Sequence, residues 1–315
     1  MGRRVDLVLG VLNGAVGDHL VQTHNGLATR MELFQDGAPL ALNPAALAGA
    51  FPNATGRLVV LVHGLMCNED IWRAPDGGSY GSWLARDVGV TPLYLRYNSG
   101  RPIADNGADL HALLQRLVDA WPRPVTELML LGYSMGGLVV RSACHMGHQD
   151  HARWLPLVQR IIYVGTPHHG APLERFGRVL SRVLTAVDDP YTRLISQVLD
   201  LRSDGVKDLG DADLTHQDRA RREVRLSLRD PAHPVPLLDG IQHLLVAGAL
   251  SADPVLKALF GDAIVPVASG SGVQVSRQPL PPEHVHVLHG ISHLGLAHHP
   301  RVYDVMKRWL TETHQ

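Results

Sequence analysis

A chain of 315 residues can bury a large core, and its 29 Lys and Arg against 30 Asp and Glu leave it without the basic footprint that nucleic acid or an anionic membrane surface requires. No apolar run approaches the roughly 18 residues of a membrane span. The partner that this charge balance leaves is a small molecule, and the two cysteines, Cys67 in an apolar loop and Cys144 on a helix-spaced stretch, read as reduced thiols in a cytoplasmic setting rather than as a disulfide framework.

At the start of the chain Arg3 and Arg4 precede the apolar stretch from Val5 to Val16. Asp6 and Asn13 interrupt it and no small-residue cleavage site follows, so it reads as an amphipathic helix with Val5, Val8, Leu9, Leu12, Val16 and Leu20 on one face, not as a secretion signal. A second helical stretch is expected around Gly26 to Phe34, before the turn-rich Asp36-Gly-Ala-Pro39. Residues 1–55 thus form an N-terminal helical extension that serves as extra core cover, and residues 56–315 form the main domain.

The main domain opens on the β-branched run Arg57-Leu-Val-Val-Leu-Val-His-Gly64. A helix near Ser82 to Asp87, a strand from Thr91 to Arg96 and a helix from Asp105 to Ala120, capped by Asp105 or Asn106, come next. The same rhythm continues with strands at 160–165, 243–248 and 284–288 and a closing helix near 300–311. Strands alternating with helices imply a mostly parallel sheet covered on both faces, an α/β class.

The informative centre is Glu127-Leu-Met-Leu-Leu-Gly-Tyr-Ser-Met-Gly-Gly-Leu-Val-Val140, where a buried strand meets a helix through Gly132-Tyr-Ser-Met-Gly136. As a bare pentapeptide G-x-S-x-G is a common glycine turn. Flanked by strand and helix it is the sharp bend that lifts a serine oxygen clear of the sheet, with small neighbours to avoid a clash. A serine acyl-transfer site also needs two backbone N–H donors for the tetrahedral oxyanion, one after the nucleophile and one in the loop after an earlier strand. Met135 and Leu65 fill those places, with Met66 as runner-up for the second, and His63 reads as a loop brace rather than a base. Asp262 in Gly261-Asp-Ala-Ile-Val-Pro266 and His293 in Gly290-Ile-Ser-His-Leu-Gly295 lie beyond later strands, at the sheet edge where parallel strands end and ligands bind. Asp239 and Asp253 are weaker acids, since the first precedes its strand and the second runs into Pro254.

These motifs, with Gly165-Thr-Pro-His-His-Gly170, resemble the α/β-hydrolase lipases and esterases, in particular the branch similar to the GPI-inositol deacylases and bacterial triacylglycerol lipases. The likeness spans residues 57–310, and residues 1–50 and 171–236 contribute little. It implies the α/β-hydrolase fold and a serine carboxylic-ester hydrolase in which Ser134 is nucleophile, His293 base and Asp262 acid, but it carries over no substrate; the expectation of apolar short- to medium-chain acyl esters comes from the apolar stripes of residues 171–236. An acyltransferase or thioesterase on the same triad, and a catalytically silent binding protein with the same fold, are the rivals. His168, His169, His284 and His286 come without H-E-x-x-H or Cys-His spacing, so no metal and no cofactor is expected, and His168 is assigned to the pocket rim.

Residues 171–236 are too long for an ordinary crossover and read as an inserted cap. Leu173, Phe176, Val179, Leu180, Val183, Leu184 and Val187 form one apolar stripe and Tyr191, Leu194, Ile195, Val198 and Leu201 another, so Phe176 and Leu180, with Met66, are candidates for acyl-chain contacts. Arg175, Arg178 and Arg182 make the opposite face a solvated one, with transient contact to a lipid interface as the sharper reading. Residues 202–235, with 14 charges, read as a polar, mobile loop.

Overall fold

The computed structural model describes residues 3–168, 203–211, 213–219, 235–249 and 280–311. In chain order they form α1 (Arg3–Gln22), β1 (Glu32–Gln35), β2 (Ala38–Pro39), α2 (Pro44–Ala50), β3 (Arg57–Val62), α3 (Tyr80–Val88), β4 (Thr91–Arg96), α4 (Ile103–Ala120), β5 (Glu127–Tyr133), α5 (Met135–Gln149), β6 (Val158–Val164), α6 (Asp204–Asp211), β7 (Gln242–Ala249), β8 (Val285–His289) and α7 (Pro300–Thr311). Among the described residues eight strands make one sheet in the order β2-β1-β4-β3-β5-β6-β7-β8. The six from β4 to β8 in this order run parallel, and at one edge β1 pairs antiparallel to β4 and β2 antiparallel to β1. A crossed-over parallel sheet whose central strand runs through a one-residue turn into a helix is the α/β-hydrolase fold expected from the motifs.

Side chains alternate across a strand, so each central strand feeds two cores. Leu58, Val60, Val62, Leu128 and Leu130 pack with Leu110, Leu114 and Leu138 of α4 and α5 on one face. Their neighbours Val59, Leu61, Met129 and Leu131 pack with Leu84 of α3 and with Val302 and Met306 of α7 on the other. All seven residues of β5 are buried, which explains why its sequence is a continuous run rather than an alternation. At the amino edge the buried Glu127 takes Arg57 at 2.7 Å and Arg160 at 3.1 Å, tying β3, β5 and β6 at the end away from Ser134.

The N-terminal segment departs from expectation. The stretch around Gly26 to Phe34 is not helical: Leu33 and Phe34 belong to β1, paired with β4, and Asp36 (φ 50°) and Gly37 (φ 77°) make the tight turn into β2. Two successive positive φ values are what a two-residue hairpin of matching twist demands, and Asp-Gly supplies them. Residues 1–55 are therefore not wholly a helical extension, because part of them completes the sheet. Nor does α1 bury the whole of the expected stripe: Leu20 is buried and Leu12 and Val16 pack partly against the core, but its other members are not buried. Val5 is 45% exposed, while Asp6, Asn13, Gly14 and Gly17 are buried, because the face is set by close backbone approach and because Val16, at φ −139° and ψ 23°, breaks the helical phase.

Two smaller corrections follow the same logic. Neither Asp105 nor Asn106 caps α4: the helix starts at Ile103, whose N–H donates at 3.0 Å to the buried Asp208 of α6. The charge-rich stretch 202–235 accordingly holds an ordered helix, α6, whose Asp208 is closed from solvent and whose Arg219 neighbour reaches Asp204 at 2.7 Å. Among the described residues no helix is long and apolar enough to cross a membrane.

Candidate active site

Ser134 alone joins β5 to α5, with φ 52° and ψ −125°, a backbone region that a residue with a side chain enters only when its surroundings hold it there. The hold is visible. Ser134 N–H donates to Val164 O at 2.8 Å and Gly137 N–H to Ser134 O at 3.1 Å. The flanking glycines let β3, β5 and α5 close on one another: a Cβ at Gly136 would lie 2.3 Å from Val62 O, and one at Gly132 would lie 2.5 Å from Gly137 Cα.

His293, four residues beyond β8, brings Nε2 to 3.0 Å from Ser134 Oγ. Tyr133 steers that ring twice, stacking on it at 5.1 Å and donating its hydroxyl to His293 O at 3.0 Å. From the adjoining layer Tyr80 donates to Leu296 O at 2.6 Å, which fixes the turn that follows. His293 as a residue is partly accessible, yet the protein packed around its ring pushes its pKa from 6.5 down to about 4 by desolvation. A neutral imidazole whose Nε2 faces a hydroxyl can accept that hydroxyl's proton.

The loop after β3 passes directly beside the serine, since a Cβ on Gly64 would stand 3.0 Å from Ser134 Cβ. His63 braces it, as its place in the sequence suggests. The ring is closed from solvent and stacks on Tyr97 at 4.4 Å. Tyr97 N–H donates to His63 Nε2 at 3.3 Å, which leaves Nδ1 as the protonated nitrogen that donates to Gly64 O at 2.8 Å. Tyr97 OH adds a bond to His63 O at 2.9 Å. Burial lowers the pKa of His63 to about 4, so this tautomer is the neutral form at physiological pH.

Leu65 follows Gly64 in that loop, and Met135 follows Ser134 directly. Met135 opens α5, where an N–H has no carbonyl one turn back. Met66 differs: its N–H already donates to Ser99 Oγ at 2.9 Å, so the runner-up donor is occupied. Its side chain, 2% exposed, packs under Gly14 of α1 instead of lining an open substrate channel. His168 likewise is not on a rim. It is buried edge-on against Tyr163, and Arg141 Nη1 donates to its carbonyl at 3.1 Å. The buried Arg141 also donates through Nη2 to Val235 O, and one guanidinium therefore ties His168 to Val235. Sequence reasoning missed Arg141, Tyr97 and Ser99. The last two had a signal, because Tyr97-Asn-Ser-Gly100 follows β4 at the edge where Ser134 emerges. Asp262, Asp253, Phe176 and Leu180 lie outside the described residues, and Asp239 precedes β7 at the opposite edge from Ser134.

The model of the PGAP1-like alpha/beta domain family matches residues 96–222. Similar solved structures include a Bacillus licheniformis lipase, BlEst2 in mature form, with 20% identity over 81% of this chain and 92% of that one at a TM-score of 0.46. The Pyrococcus furiosus esterase PF2001 shares 14% identity over 82% and 83% of the two chains at a TM-score of 0.46. An esterase from the bacterial hormone-sensitive lipase family shares 16% identity over 98% and 97%, with a TM-score of 0.45. No curated protein matches the chain.

Proposed function

We propose that the protein is a serine carboxylic-ester hydrolase. The observation that carries this reading is the 3.0 Å approach of His293 Nε2 to the oxygen of a serine held at positive φ between strand and helix. Ser134 O–H gives its proton to His293 as the oxygen attacks the ester carbonyl, and the oxyanion that forms takes hydrogen bonds from Leu65 N–H and Met135 N–H. His293 returns the proton to the leaving alcohol. Water, deprotonated by the same imidazole, then attacks the acyl-enzyme and releases the acid together with Ser134. Asp262 is the proposed partner of the His293 cation, and Phe176 and Leu180 the proposed contacts of an apolar acyl chain of short to medium length. The free thiols of Cys67 and Cys144 suit a reducing, cytoplasmic setting.

The test joins labelling to turnover. A fluorophosphonate should modify the parent at Ser134, and p-nitrophenyl esters of graded length should be hydrolysed by the parent and not by Ser134→Ala. Activity kept within about tenfold in Ser134→Ala, a barrier change of only about 1.4 kcal/mol, overturns the assignment. Asp262→Asn should lose far more activity than Asp253→Asn, and the reverse order places the acid elsewhere.

A further inference from the structure

We propose that Ser99 is a positioning residue for the oxyanion donor Leu65, held in register from behind by the N-terminal helix. The inference rests on the ester-hydrolase reading and deepens it. It starts from the two peptide planes on either side of Leu65. The first, Gly64–Leu65, has its carbonyl turned toward the His63 ring, where it accepts from Nδ1–H at 2.8 Å and from Cys67 N–H at 3.3 Å. A trans, planar peptide points its N–H opposite to its carbonyl, so Leu65 N–H is aimed away from His63. The second plane, Leu65–Met66, is fixed by Met66 N–H donating to Ser99 Oγ. Met66 needs that anchor, since it is a side-chain-bearing residue at φ 59°. With both planes held, the rotation that would swing the Leu65 donor has no freedom left.

Ser99 is held in turn. It has no exposed surface, and the residues beside it are clasped by three elements. Asn98 Nδ2 donates to Gly17 O of α1 at 2.9 Å, Asn106 Nδ2 of α4 donates to Asn98 O at 3.0 Å, and Gly205 N–H of α6 donates to Gly100 O at 2.9 Å. On the far side α1 presses on Met66 itself. A methyl at Gly14 would lie 2.7 Å from Met66 N and 2.3 Å from its Cγ, and Gly14 O is in turn fixed by Ser203 Oγ at 2.8 Å. The close packing of α1, which no apolar stripe announces, thereby sets where the loop after β3 can sit.

Ser99→Ala removes the acceptor without adding bulk, and Gly14→Ala displaces the same peptide from the opposite side. Each should lower kcat about 10- to 100-fold, as misplaced oxyanion donors do, and leave KM within about threefold. The affinity for an alkylboronic acid, which forms a tetrahedral anion on Ser134, should fall by the same factor as kcat. Active sites titrated with a fluorophosphonate normalise the rates, so a partly unfolded preparation is not read as a slow enzyme. Because the two variants act from different elements, failure of one to fold leaves the other to decide. If kcat and boronate affinity stay within about twofold of the parent in the folded variants, or if only the melting temperature falls, Ser99 is merely structural and the inference is overturned while the ester-hydrolase reading stands. A parent that neither labels nor hydrolyses any ester overturns that reading, and this inference with it.

Discussion

The loops that follow β3 and β8 each bring a histidine to the carboxyl edge of the sheet, and burial pushes both rings to about 4, yet the two side chains are built for opposite purposes. In the first loop both nitrogens of His63 are committed to main-chain groups, Tyr97 N–H and Gly64 O. In the last, His293 turns Nε2 to the Ser134 hydroxyl, with Tyr133 stacked on the ring and bonded to its carbonyl. A lowered pKa therefore marks neither as a base. What separates a proton carrier from a brace is whether a ring nitrogen faces a group that can give up a proton.

His293→Gln tests the contrast most severely. It removes the proposed base while filling the same space, and kcat/KM for a p-nitrophenyl ester should fall by roughly 10⁴-fold or more with the melting temperature nearly unchanged. His63→Ala should show the opposite balance. Losing a buried ring and its bonds to Gly64 O and Tyr97 N–H should cost about 2–4 kcal/mol in urea unfolding, and turnover per titrated site should fall far less than for His293→Gln. Equal kinetic losses in the two variants would erase the distinction.

A pH series sharpens the comparison. Both folded-state pKa values lie below the ordinary 6.5, so the unfolded chain binds protons first as the solution is acidified. Stability present above about pH 6.5 should therefore be lost as pH falls toward 4, at up to about 1.4 kcal/mol per pH unit from His63. Thermal melts from pH 7 to 4 would show it, with a shallower slope in His63→Ala. The acid limb of kcat/KM should lie below pH 6.5, and with Asp262 as the proposed acid, Asp262→Asn should move it lower still, because losing that anionic partner disfavours the imidazolium. The smallest expected effect belongs to Tyr133→Phe, which removes one neutral bond to His293 O. It should cost about 1 kcal/mol of stability and a severalfold drop in kcat, read from the same melts and assays.

Much of the sheet was legible because its strands are short apolar runs bounded by turn residues, and β4 matches its expected bounds of Thr91 and Arg96. The serine turn was legible for a different reason: glycines at fixed offsets report a steric demand directly. What escaped the reading was set by backbone proximity rather than by side-chain hydropathy. The hairpin of β1 and β2 hid in a segment with two inward apolar residues, Leu33 and Phe34, too few for a period. The packed face of α1 hid because Gly14 and Gly17 carry no hydropathy to count. Asp208 looked like one more charge in a polar stretch, and only its bond to Ile103 N–H makes it the cap of α4. Ser99 was invisible because a loop serine becomes informative only once the backbone N–H it accepts from is known.

Arg141 has a consequence for how the chain could change over time. By accepting no role in the sheet and instead pinning His168 O and Val235 O, it gives the intervening excursion a common root on α5. Closing a longer loop on a fixed root is cheap, roughly 0.6 kcal/mol for each doubling of its length. Only the stretches 169–202 and 220–234 can thus be lengthened, trimmed or exchanged like a cassette, because α6 between them is bound to Ile103 N–H and Gly100 O and supports the loop beside the serine. Substrate range and catalytic chemistry are then free to evolve at different rates within one chain.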